Sequence, residues 1–420
     1  MLTVQLGNKN MRIHEGDIVL TNLTLRQQEE LWNHTSSLNA NFLGRQKRQA
    51  YQGRDYPKFF WKNGVVPYTL SSNLSMHARS IILKSMKFWE SQTCITFVPA
   101  TREKSSLIFI RGSGCFSYIG RIWEWKEQPL SVGWRCEHIH TITHEIGHAL
   151  GFLHTHTRVD RDQYISVNFR NIRNTLQTGL TSNFKRAAQY ANYNYNLPYD
   201  YGSVMHYSKK AFTSNNGSTI IPRISWYEDT MGSGTGPTFI DILMMNKHYK
   251  CTNLCRYSIQ CKNGGYQHPK HCNRCLCPSG YGGSYCDQRA SFFNLSHTSA
   301  DSSGCGGNLR ATHQWKVLST EMGNGRYKDE MSYCYWWIEA KAHEIIEVRI
   351  KSLSGCCSEG CIFAGLEVKA NLDKRLTGYR FCCEASVGRT VEAQGPILPL
   401  IMFNRKDYSL MEIQYRIKKN

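Results

Sequence analysis

The cysteines constrain this chain most. None of the 17 precedes Cys94, three occur by Cys136, and fourteen follow from Cys251 onward. Dense cysteine in a short span holds together domains too small to build a core, and it does so in oxidising compartments. The spacings after Cys251 do not repeat a CxxC pair pattern, so disulfides are expected rather than cytosolic zinc clusters. An odd total leaves at least one thiol free, paired between chains or otherwise modified. At 420 residues, two or three domains are expected. Five N-x-S/T sequons, at Asn22, Asn33, Asn73, Asn216 and Asn294, fit the same secreted, extracellular setting. The opening MLTVQLGNKN has no apolar leader core, and an upstream signal peptide is expected. No stretch is long and apolar enough for a transmembrane segment. The formal net charge of +19 is scattered rather than gathered on one element. That distribution argues against a nucleic-acid partner and for a basic surface able to attract acidic substrates or anionic matrix polymers.

The organisation follows from composition. Residues 1–48 carry no cysteine and end in Arg45-Gln46-Lys47-Arg48, a run suited to cleavage by a proprotein convertase after Arg48. They read as a propeptide. From about 49 to 252 the pattern is one mixed α/β domain. Val65–Leu70 and Leu107–Ile110 read as strands, while Met76–Ser91, Ile139–Gly151 and Thr238–Lys250 read as helices. Residues 253–287 are loop-rich and hold six cysteines. From 305 to 418 the alternation of Ile346, Val348 and Ile350, and of Ile413, Tyr415 and Ile417, predicts a β-sandwich.

The chemistry lies in His144-Glu145-Ile146-Gly147-His148-Ala149-Leu150-Gly151-Phe152-Leu153-His154. On a helix, His144 and His148 are one turn apart and project from one face. Gly151 permits a sharp turn that presents His154 as a third ligand. Three neutral imidazoles hold Zn²⁺ at about 2.0–2.1 Å and leave a position open for water. Glu145, beside that position, is placed to take a proton from the water and pass it to a leaving amine.

H-E-x-x-H-x-x-G-x-x-H with the later Ser203-Val204-Met205-His206-Tyr207 has the metzincin signature and its methionine turn. With Arg158-x-Asp160-Arg161-Asp162, it resembles the astacin family of zinc metalloproteases, its nematode branch in particular. On the residues alone, Arg158–Asp162 reads as a salt-bridged turn. The resemblance covers about half the chain. It implies an α+β metzincin-type catalytic domain with two lobes around a zinc cleft, and one zinc ion per domain. It also implies a secreted endopeptidase made as a zymogen.

Residue by residue, the resemblance makes Met205 a floor beneath the metal and Tyr207 a zinc ligand that swings to stabilise the tetrahedral intermediate. It pairs Cys94 with Cys251 and Cys115 with Cys136. His14-Glu15-Gly16-Asp17 is similar to the family's F-x-G-D propeptide motif, with histidine for phenylalanine, making Asp17 the inhibitory ligand. Where the family places glutamate after the third ligand to hold the mature N-terminus, this chain has Thr155. The mature terminus, with Gln49 first and able to cyclise, is then held differently.

Cys255, Cys261, Cys272, Cys275, Cys277 and Cys286 are similar to an EGF-like module bridged first to third, second to fourth and fifth to sixth. Cys305 and Cys334, followed by Cys356, Cys357, Cys361, Cys382 and Cys383, resemble a CUB-like domain with more cysteines than usual. The expected partners are protein or peptide substrates, among them extracellular matrix or cuticle proteins. The competing reading is a catalytically silent adhesion or matrix-binding protein acting through its C-terminal modules.

Overall fold

Apolar residues at helical spacing build the first helix. In α1 (Met76–Gln92), Ala78, Ile81, Ile82, Met86 and Trp89 are buried, and Ser75 caps the start by accepting from Ala78 N–H. The structure, a computed structural model, describes residues 2–6, 9–14, 16–20, 49–51, 57–173, 180–187, 192–290 and 305–419. Arg48 and the sequons at Asn22, Asn33 and Asn294 lie outside the described residues. Contacts divide the chain into two compact units. The first comprises Met1–Tyr199, Lys210–Arg223 and Met244–Tyr249; the second comprises Asp200–Lys209, Ile224–Leu243 and Lys250–Asn420.

The first unit centres on an eight-stranded sheet. Its strands are β1 (Leu2–Leu6), β2 (Lys9–His14), β3 (Ile18–Leu20), β4 (Val65–Leu70), β5 (Thr96–Pro99), β6 (Ser106–Ile110), β7 (Cys115–Tyr118) and β8 (Glu127–Val132). They lie in the order β1-β2-β3-β7-β8-β6-β4-β5. β4, β5, β6 and β8 run parallel, and β7 is antiparallel to β8. The N-terminal segment therefore joins the sheet rather than merely preceding it. β3 pairs in parallel with β7, Ile18 opposite Ser117 and Val19 opposite Tyr118, and both Ile18 and Val19 are buried.

On the sheet lies α2 (Ile139–Ala149), tied to α1 by the Trp89 indole N–H, which donates to the Thr143 carbonyl at 3.1 Å. The Trp61 indole donates to the Ala149 carbonyl at 2.8 Å, fixing the helix's C-terminal end. A disulfide joins Cys115 and Cys136 across the stretch ahead of α2. Cys94 and Cys251 are both disulfide-bonded.

The second unit contains a five-stranded and a four-stranded sheet around one apolar core. Ile346, Val348 and Ile350 of Ile345–Ser354, with Ile413, Tyr415 and Ile417 of Tyr408–Ile417, face that core, the period-two alternation of a half-buried strand. Bridges join Cys305 to Cys334, Cys357 to Cys383 and Cys361 to Cys382, leaving Cys356 as the free thiol. Between residues 253 and 287 the bonds are Cys255–Cys272, Cys261–Cys275 and Cys277–Cys286. This stretch is also attached to the sandwich: the Trp337 indole donates to the Gly280 carbonyl at 2.9 Å. The last helix, α3 (Phe239–His248), begins with a reciprocal cap. Asp241 accepts from Thr238 N–H at 2.9 Å, while the Thr238 hydroxyl accepts from Asp241 N–H at 3.4 Å.

Candidate active site

One helical turn separates His144 from His148 on α2, so their rings stand together with centroids 4.6 Å apart. The helix stops at Gly151, whose φ of 109° belongs to the region that favours glycine. A side chain there would also strike His248, since a Cβ would lie 2.8 Å from its Nε2. Beyond this turn His154 arrives with its ring centroid 4.7 Å from that of His148 and 5.2 Å from that of His144. Buried arginines hold the loop that follows. Arg158 grips Asp160 with Nε and Nη2, both at 2.9 Å, and caps the carbonyls of Leu197 and Pro198. Arg161 donates to the carbonyls of His156 and Phe184 and pairs with Asp162. The salt-bridged turn read in the sequence is thus also a brace for the third ligand.

The three Nε2 atoms converge on one carboxylate, that of Asp17. Asp17 Oδ2 is 3.2 Å from His144 Nε2, and Oδ1 is 3.2 Å from His154 Nε2 and 3.6 Å from His148 Nε2. The four ligand atoms lie within 4.8 Å of one another, a grouping able to hold one metal ion. Further features fit a metal such as zinc. His148 Nδ1 lies 2.7 Å from the Phe152 carbonyl and donates to it, which leaves the Nε2 lone pair facing the cluster. Burial pushes His148 down to about 4, so its imidazole is neutral at physiological pH, the form that ligates. His148 Nε2 and Asp17 Oδ1 are buried with no hydrogen-bond partner, as expected of atoms meant for a cation.

Asp17 sits in the turn between β2 and β3. Its own carbonyl accepts from Ser117 N–H at 2.8 Å, so β-pairing delivers it to the histidines. Burial works against its charge, but the histidines around it, His154 foremost, outweigh that and hold the carboxyl well below its usual range. Glu145, on α2, is 2% exposed, and its Oε2 has no hydrogen-bond partner. Burial, reinforced by the charge of Asp17, pushes Glu145 well above the ordinary carboxylate value. A buried carboxylate with a raised pKa and an unengaged oxygen is suited to exchanging protons with a bound water.

Met205 and Tyr207 belong to the second unit. Met205 is fully buried, and its N–H donates to the Ser203 hydroxyl at 3.1 Å. The Tyr207 carbonyl lies 2.6 Å from His206 Nδ1 and accepts from it. Asn73 and Asn216 are exposed. Two contacts went unread in the sequence. Gln49 and Thr155 meet: the amide Nε2 of Gln49 donates to the Thr155 hydroxyl at 2.9 Å, and both residues are buried. Asp241, silent in any motif, accepts from the Ser203 hydroxyl at 2.6 Å and from Val204 N–H at 2.9 Å, fastening the methionine turn. The T-x-x-D cap at the start of α3 was its available signal.

Residues 53–250 match the Astacin family of peptidases. Zinc metalloproteinase nas-31 of Caenorhabditis elegans is 38% identical over 408 residues, which is 96% of this chain and 63% of that protein. Zinc metalloproteinase nas-29 of the same organism is 36% identical over 381 residues, 89% of this chain and 68% of that one. Among solved structures, High choriolytic enzyme 1, a hatching enzyme zinc-protease from the medaka Oryzias latipes, is 33% identical. It covers 48% of this chain and 98% of its own, with a TM-score of 0.43. The chain thus spans about 63% of the length of the first of these relatives. With its histidine triad, adjacent glutamate and methionine turn, the chain belongs to the astacin family.

Proposed function

We propose that this protein is a secreted zinc-dependent endopeptidase, made as a zymogen that Asp17 keeps silent. The observation that carries the reading is the meeting of His144, His148 and His154 on a single Asp17 carboxylate, with Glu145 buried beside them. A bound zinc ion supplies Lewis acidity for the scissile carbonyl and for an attacking water. Glu145 then accepts the water's proton on its free Oε2 and returns it to the leaving amine. Tyr207 would donate its phenolic hydrogen bond to the developing oxyanion, and Met205 would serve as the structural floor of the site.

In the uncleaved chain Asp17 holds the position that water needs. Cleavage after Arg48 by a proprotein convertase removes β1, β2 and β3 together with Asp17. It also removes the Asp17 charge that adds to burial in raising Glu145. The new first residue, Gln49, is already seated on Thr155. Residues 49–252 then form the catalytic domain, 253–287 an EGF-like module and 305–418 a CUB-like domain. The bridging of Cys255 through Cys286 in the first-to-third, second-to-fourth, fifth-to-sixth order supports the EGF-like reading. Sixteen disulfide-bonded cysteines support an extracellular setting. Substrates are then extracellular proteins, a class that includes matrix and cuticle components.

The test is cleavage of a quenched peptide library by the full chain before and after cutting at Arg48. Parallel samples carry a zinc chelator, Glu145→Ala or Asp17→Ala. Activity that appears on cutting, vanishes with chelator and with Glu145→Ala, and precedes cutting in Asp17→Ala supports each part of the reading. A cut, zinc-loaded chain that cleaves nothing returns the field to the adhesion-protein reading.

A further inference from the structure

The second unit joins the methionine turn to the C-terminal sandwich through a buried polar network. Asp200, three residues before Ser203, is 1% exposed. Its Oδ1 accepts from Gly202 N–H and from Thr377 N–H, each at 3.2 Å. Its Oδ2 accepts from the Thr377 hydroxyl at 3.0 Å. Thr377 belongs to the sandwich, 177 residues along the chain. Burial, with the charge of Asp241 added, pushes Asp200 up to about 6, so this carboxylate depends on its few donors.

The approach is close as well as polar. A Cβ on Gly202 would lie 2.5 Å from Thr377 atoms. Next to it, Tyr201 stacks on Tyr227 with centroids 4.0 Å apart, and the Tyr227 hydroxyl donates to Asn371 Oδ1 at 2.9 Å. Further along, Arg380 N–H donates to the Thr230 hydroxyl at 3.1 Å, and its guanidinium donates to Ser233 and Thr235. That guanidinium is neutralised by buried Glu367 at 2.9 Å. The turn therefore has two carboxylate anchors. Asp241, at the start of α3, holds Ser203 and Val204; Asp200 is held from the sandwich.

We propose that the C-terminal sandwich is a positioning element for the turn that carries Met205 and Tyr207, with Thr377 on Asp200 as its principal contact. The proposal rests on the reading of Tyr207 as an oxyanion donor. Small displacements of an aligned catalytic group lower turnover steeply, whereas ground-state peptide binding is less sensitive to them. In such an arrangement anything that binds or loosens the sandwich reaches the turn that carries Tyr207 through Asp200. The C-terminal module is then part of the catalytic apparatus rather than only an address.

The experiment uses the activated full chain and a short peptide substrate too small to contact the sandwich. Thr377→Val removes the hydroxyl at nearly constant volume. It is expected to lower kcat roughly three- to tenfold, with KM and zinc content unchanged, and Thr377→Ser restores kcat. Tyr227→Phe, which removes the Asn371 bond, is the second variant if Thr377→Val folds poorly, and the same split is expected. In a Tyr207→Phe background Thr377→Val costs nothing more, because the group it positions is gone. Wild-type kcat in both Thr377→Val and Tyr227→Phe overturns the proposal, and so do losses that multiply with that of Tyr207→Phe. If Tyr207→Phe itself keeps full kcat, the reading of Tyr207 fails and the proposal falls with it, an outcome separable from the others.

Discussion

Arg158 offers the most quantitative test of how the zinc loop is held. It is fully buried, and so nearly is Asp160, which it grips with two parallel bonds of 2.9 Å. It also satisfies the carbonyls of Leu197 and Pro198, and its guanidinium lies 5.2 Å from the Tyr199 ring centroid. Arg158→Met keeps the aliphatic bulk but strands the Asp160 charge and two carbonyls. Breaking one side of a buried pair costs about 3–5 kcal/mol. For a domain of this size each kcal/mol lowers Tm by about 2–4 °C, so a fall of roughly 10 °C is expected. Calorimetry on the full chain reads it, and the relevant transition is identified as the one that added zinc raises. The double variant Arg158→Met/Asp160→Leu should recover part of the loss, because no charge is then left unpaired. A fall under about 3 °C for Arg158→Met, or a double variant worse than the sum of the singles, refutes the account of the loop.

Three further predictions concern the first unit. Burial pushes His248 down to about 3, while an unfolded histidine titrates near 6.5, so between those values the unfolded chain binds the extra proton. Its contribution is complete above pH 6.5 and is lost at about 1.4 kcal/mol per pH unit as pH falls toward 3; His248→Gln should flatten that part of the urea-midpoint-against-pH profile, and an unchanged slope argues against it. Thr155→Val leaves the buried Gln49 amide without its acceptor at 2.9 Å, an expected loss of about 1–3 kcal/mol in chemical denaturation, with Thr155→Ser close to wild type; equal stability of Val and Ser variants sinks the idea. Removing the Cys115–Cys136 bridge by paired alanines reopens a loop of 21 residues, which chain entropy puts at about 3 kcal/mol, and a calorimetric shift near zero contradicts that view.

Local pattern decided much of this protein. The histidines at 144 and 148 share a face because four residues make about one helical turn, and Gly151 can turn where other residues strain. Strands Val65–Leu70 and Ile345–Ser354 follow from apolar runs and alternation, which are properties of neighbouring residues. The helix α1 was legible for the same reason, from Ile81 to Trp89. Tertiary structure alone decided which distant groups meet. Asp17 reaches the histidines because β3 pairs with β7 and swings a turn into place, and hydrogen bonding between strands leaves no mark in either strand's composition. Gln49 finds Thr155 across 106 positions, and Asp200 finds Thr377 across 177. Cys356 emerged as the unpaired thiol only once Cys357 and Cys361 had chosen Cys383 and Cys382. Periodicity tells a side chain which way to face, whereas its partner is set by how buried surfaces close together, and that depends on the whole chain at once.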